Sequence, residues 1–119
     1  MKPGDKLPVK GATVEILAAN GEVSKRNGSP NPVCGKDQPA AVDPTENARS
    51  VGFLLTYGKF KFIDLGDLTW NKELDLMCPT NRVGTVDVYL TTHHGADSSG
   101  PASIVHALAP KVAIMNNGE

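Results

Sequence analysis

The sequence predicts an α/β domain in which a mixed sheet carries helices on one face. Three observations predict it. Val51–Tyr57 and Phe60–Leu65 are apolar runs separated only by Gly58-Lys59, which reads as a tight antiparallel hairpin. From Phe60 the pattern runs strand, helix, strand, helix, strand. Two such crossovers, with right-handed connections, make those three strands parallel.

The elements follow in order. Leu7-Pro8-Val9 and Ala12–Leu17 flank Lys10-Gly11 as a first hairpin, with Val14 and Ile16 alternating against polar positions. Pro8 cannot donate to a ladder, so its strand should be short or lie at an edge. From Ala18 to about Ala48 the periodic signal stops. Asn20-Gly21, Asn27-Gly28, Ser29-Pro30, Asn31-Pro32 and Asp43-Pro44 all break regular structure. This stretch reads as a loop insertion, and Cys34 favours an ordered one. Val51–Tyr57 is nearly continuously apolar, as for a strand buried on both faces.

Thr69 is placed to cap a helix from Trp70 to about Met77 through its hydroxyl. Trp70, Leu74 and Met77 share one helical face, and Cys78-Pro79 ends the helix. Asn81–Gly84 is a loop. Val86, Val88 and Leu90 then alternate with Asp87, Tyr89 and Thr91 as a strand. Gly100-Pro101 opens a second helix with Pro at its first position, with Ile104, Val105 and Leu108 as its buried stripe. Lys111–Met115 is the last strand, with Asn116-Asn117-Gly118 as a turn and Glu119 after it.

Composition bounds the function classes. The 119 residues fit one domain at most, and the net charge of −1 offers no basic field for nucleic acid. No apolar run approaches the roughly 20 residues that span a bilayer, and no apolar segment follows Lys2 as in a signal peptide. Cys34 and Cys78 read either as unrelated thiols or as a disulfide, the latter implying an oxidising, extracytoplasmic compartment.

The chemistry-bearing residues sit at strand ends. Asp67 follows Gly66 beyond one strand, and His93-His94-Gly95 ends another. In a parallel arrangement both reach the sheet edge where open α/β folds place their sites. Asp67 can bind or bridge metal, although a carboxylate ahead of Trp70 also suits a helix N-terminus. A lone histidine here would read as a loop residue bonded to carbonyls, but His-His-Gly after an apolar strand, in register with Asp67, favours a metal ligand, and one of the two is expected to be the direct one. Asp64 is a candidate partner orienting a ligand, or else a solvent-edge carboxylate. His106 reads as a surface residue. A serine-hydrolase reading from His93, Asp97, Ser98 and Ser99 lacks a nucleophile-elbow context.

Asn47–Leu55, Phe62–Asp67 and Val86–Gly95, taken in this order, resemble the metallo-β-lactamase superfamily, and within it the branch containing the hydrolase domain of the competence protein ComEC. Residues 47–119 carry the resemblance, with Pro110–Ile114 fitting a last strand. It implies that residues 1–119 form part of an αββα domain, with the loop insertion at about 18–48. It further implies zinc, as one or two ions, with manganese or iron as alternatives. Asp67 would be the metal-bridging carboxylate, His93 a metal ligand, and His94 a catalytic neighbour facing substrate or supporting the ligands. The implied activity is hydrolysis of an ester, amide or phosphodiester. The family's His-x-His-x-Asp-His cluster is not among the 119 residues. The expectation is therefore a piece of a hydrolase, inactive alone, whose partner is the missing half of its own domain. The other reading is a degenerate, non-catalytic binding or structural domain on the same scaffold.

Overall fold

The computed structural model describes residues 1–37 and 42–118. In chain order the strands are β1 (Lys6–Val9), β2 (Ala12–Ala19), β3 (Glu22–Val23), β4 (Ser29–Pro30), β5 (Gly52–Tyr57), β6 (Phe60–Asp64), β7 (Thr80–Asn81), β8 (Val88–Leu90) and β9 (Val112–Ile114). Helix α1 is Trp70–Met77 and α2 is Ala102–Leu108. Seven strands form one mixed sheet in the order β1-β2-β5-β6-β8-β9, with β3 folded back on β2, while β4 and β7 pair separately.

Both expected hairpins form, with Val9 opposite Ala12 and Tyr57 opposite Phe60. The crossovers likewise give parallel pairs, β6 with β8 and β8 with β9. Pro8 sits in a four-residue strand at the sheet edge, where its missing N–H disrupts no ladder. The sheet is therefore antiparallel from β1 to β6 and parallel from β6 to β9.

Both helices cover the same face. Leu54, Ile63 and Tyr89 lie in one row of the sheet and pack with Leu65, Leu68, Leu76, Met77, Ile104 and Leu108. The opposite face carries Leu55, Phe62, Val88 and Val112 across one row, and Phe53, Asp64, Leu90 and Ile114 across the next. On that face the Phe53 and Phe62 rings meet at a tilt of 45°, with centroids 6.1 Å apart. Val112 is 52% exposed and Ile114 47%. β5 is thus not buried on both faces as its apolar run suggests, because no element covers the second face among the described residues.

Several local expectations are corrected. Within the expected 18–48 loop, β2 runs on to Ala19, and β3, β4 and a 3₁₀ turn at Glu46–Arg49 follow. The Asn81 loop likewise contains β7, which pairs with β4. Thr69 takes the N-cap backbone conformation, but its hydroxyl makes no capping bond and is buried without a partner. The buried face of α1 is Glu73, Leu76 and Met77, leaving Trp70 and Leu74 half-buried. The buried stripe of α2 is Ser103, Ile104 and Leu108, and Pro101 stands just before the helix instead of in it. Glu119 and residues 38–41 of the loop lie outside the described residues.

The loop is tied down beside the helices. Cys34 and Cys78 form a disulfide. Asn31, buried next to it, donates through Nδ2 to the carbonyls of Met77 and Ser103, each at 3.0 Å. Its Oδ1 accepts the Val33 N–H at 3.1 Å. One side chain thus joins the end of α1 to the start of α2.

Candidate functional site

The site is built at the C-terminal ends of β6 and β8. Asp64, last in β6, accepts the Gly66 N–H through Oδ1 at 2.8 Å. Gly66 adopts a φ of 59°, which a side chain resists, and a Cβ there would lie 3.3 Å from the Val51 carbonyl oxygen. This turn carries Asp67 to the sheet edge. On the neighbouring strand, the His93 N–H donates to the Gly66 carbonyl at 2.9 Å, which locks the two strand exits together.

Beyond β8 the chain makes a left-handed turn. His93, His94 and Gly95 have φ of 51°, 58° and 81°. The left-handed region costs a non-glycine residue about 1–2 kcal/mol. Two successive histidines held there mark a backbone fixed by its surroundings.

The turn sends the two imidazoles to different partners. His93 Nδ1 lies 3.2 Å from the Ser98 hydroxyl. His94 Nε2 lies 3.4 Å from Asp67 Oδ1, and its Nδ1 is 2.7 Å from the Asn116 carbonyl oxygen. A carbonyl only accepts, so Nδ1 carries the hydrogen of that bond. In the neutral ring the Nε2 lone pair then points at a carboxylate oxygen. A proton or a bound cation between them removes that conflict. Asp64, Asp67, Leu90, Thr91, His94 and Asn116 line a cavity of about 170 Å³ with Gly66.

Asp67 and His94 have the chemistry of zinc, manganese or iron ligands, and a ligating histidine commonly gives its other N–H to a carbonyl, as His94 does. The donor set is short, however. Among the described residues no three His, Cys, Asp or Glu side chains converge on one point.

Compared with protein-family models, curated proteins and solved structures, the chain matches none.

Asp64 lines the cavity and shapes the Gly66 turn. His106 is exposed on α2. Ser99 is buried and donates to the Leu68 carbonyl at 2.8 Å, a bond that anchors the loop after the histidines. No hydrogen bond joins Asp97 to His93 among the described residues, so the Ser98–His93 contact stands as a pair.

Sequence reasoning missed Glu73. It is fully buried on α1, and its Oε2 accepts the Gly100 N–H at 2.8 Å. Burial pushes its carboxyl up to about 7, against the charge-favouring Thr92 hydroxyl and Gly100 N–H. Its Oε1 has no hydrogen-bond partner. A glutamate placed at i+4 from the N-cap in an otherwise amphipathic helix gives no sequence signal of burial. Tyr89 lies nearby, and burial and then the Glu73 charge raise its phenol.

Proposed function

We propose that this chain supplies part of the metal site of a hydrolase of the metallo-β-lactamase type, acting on an ester, amide or phosphodiester. The observation that carries the reading is His94 Nδ1 bonded to the Asn116 carbonyl, with Nε2 turned to Asp67 Oδ1 at 3.4 Å. A ring nitrogen and a carboxylate oxygen 3.4 Å apart on the lining of a small cavity would offer two ligands to a cation. Further ligands would come from sequence outside these 119 residues. That same partner would cover the apolar face of Phe53, Phe62 and Leu90.

A zinc ion bound there would supply Lewis acidity and an activated water. This chain's own contribution is to hold the carboxylate and the imidazole at the strand ends. The resemblance assigns the histidine ligand to His93 and a catalytic role to His94. The present geometry favours His94 as the partner of Asp67, with His93 bonded to Ser98. The Cys34–Cys78 disulfide supports an extracytoplasmic setting, because reduced compartments keep such thiols apart.

The test is a zinc titration of this chain followed by the imidazole ¹⁵N resonances. His94 should respond at lower zinc than the exposed His106, and Asp67→Asn should abolish the difference. A response led by His93 would restore the assignment from the resemblance. Equal responses from all three histidines would sink the metal reading and favour the non-catalytic domain.

A further inference from the structure

The loop that carries His93 and His94 is held from beneath by a buried carboxyl. Thr92, immediately before the left-handed turn, is only 1% exposed. Its N–H donates to the Tyr89 phenol oxygen at 3.0 Å, and its hydroxyl lies 2.8 Å from the same oxygen. Gly100, at the far end of the loop, gives its N–H to Glu73 Oε2. Gly100 has a φ of 66°, and a Cβ there would lie 3.3 Å from the Tyr89 hydroxyl.

We propose that Glu73 is a positioning residue for the Asp67–His94 pair, gripping the Gly100 N–H so that the histidine turn between Thr92 and Gly100 keeps its left-handed form. The role rests on the metal-site reading for its purpose, though not for its geometry.

Packing alone does not account for this residue. A fully buried carboxyl with one unpartnered oxygen costs stability, and an apolar side chain of the same length would fill the space without that cost. What an apolar side chain lacks is an acceptor for the Gly100 N–H. The same burial raises the carboxyl to about 7. A neutral glutamic acid still accepts that N–H through its carbonyl oxygen, so the grip does not depend on charge. Glutamine keeps such an oxygen at the same reach. Methionine keeps the length and removes the acceptor.

The experiment uses the metal-free chain and its Glu73→Gln and Glu73→Met variants. The readouts are the H–N–Hα couplings of His93 and His94, which report positive φ, and the His94 Nδ1 resonance, which reports the Asn116 bond. Glu73→Gln should keep the wild-type values, and Glu73→Met should move all three. A folded Glu73→Met chain with wild-type values overturns the proposal. If Glu73→Met does not fold, Glu73→Asp decides in the same way, because it keeps the carboxyl but shortens its reach. Zinc affinity is then compared across the variants, with a loss of about tenfold expected for Glu73→Met. Moved couplings in a chain whose wild type binds no zinc would keep the positioning role and remove the metal reading.

Discussion

Glu73 of α1 accepts the Gly100 N–H at 2.8 Å through one oxygen while its other oxygen, equally buried, has no partner. The pair spans the first helix and the loop before the second, and it makes stability depend on pH. Glu73 titrates at about 7 in the folded chain, against an ordinary value of 4.5. The folded state therefore binds the proton more tightly than the unfolded state. The stabilisation is fully present below pH 4.5 and is lost as pH rises to about 7. At about 1.4 kcal/mol per pH unit, the change is on the order of 3 kcal/mol. Urea denaturation between pH 4.5 and 8 should show this decline, and Glu73→Gln should flatten it. An equal slope in both proteins would mean that another group is responsible.

At the acid end the sign reverses for Asp87. The Lys61 N–H, and then Lys111, hold its carboxyl below the ordinary 3.8. Its contribution is present above about pH 4 and lost as pH falls further. Asp87→Asn should therefore weaken the dependence of stability on pH below 4 while leaving the Glu73 slope above it intact, as checked by thermal melts at pH 2.5, 3.5 and 6.

The disulfide closes a loop between positions 44 residues apart. Loop-closure entropy assigns such a crosslink about 4 kcal/mol, an upper value because native strain and residual unfolded structure reduce it. Replacing both Cys34 and Cys78 with Ser should cost about 2–4 kcal/mol in guanidinium denaturation. Chemical reduction should give the same loss. A loss from the substitutions alone would trace the effect to the serines.

Asn31→Ala should be severe for a side chain in a loop. It removes the donor to the Met77 and Ser103 carbonyls and the acceptor for Val33. Each stranded buried group costs about 1–3 kcal/mol. The expected loss is about 2 kcal/mol or more in a thermal melt, with faster amide exchange where α1 ends and α2 begins. Asn31→Asp should also destabilise, because it keeps the acceptor but loses the donor.

Gly66→Ala tests the turn that aims Asp67. A φ of 59° and a carbonyl oxygen 3.3 Å from the new Cβ both oppose the substitution. The expected cost is about 1–2 kcal/mol, with faster exchange at the His93 amide that bonds Gly66. An unchanged His93 amide would show that the strand exits are locked by other contacts.

Much of this architecture is legible in the sequence. Gly58-Lys59 sets the hairpin of β5 and β6, and the strand and helix order from Phe60 onward sets the parallel crossovers, although Tyr89 and not Val88 or Leu90 enters the helix-covered core. Those crossovers bring Asp67 and His94 to one edge. What could not be read depends on distant partners. Glu73 is an acidic residue on a short helix, and its hydrogen-bond partner, the Gly100 N–H, lies far along the chain. The choice between His93 and His94 turns on left-handed backbone that neither residue signals. Thr69 has the composition of a cap, yet its hydroxyl points into the packed interior. Two-residue strands such as β4, which contains Pro30, are too short for any periodicity to register.

The antiparallel and parallel halves of the sheet share a further property. The strand exits of β6 and β8 and the entry to β5 at Val51 meet at one rim, while the turns at Lys10-Gly11 and Gly58-Lys59 lie at the other. Gly11 and Tyr57 are near neighbours there, with a Cβ on Gly11 falling 3.7 Å from the Tyr57 ring. Exposed turns of this kind tolerate insertion well. An affinity handle, a fluorophore or newly cut termini between Tyr57 and Phe60 would therefore leave the histidine rim undisturbed, setting the end for handling opposite the candidate site.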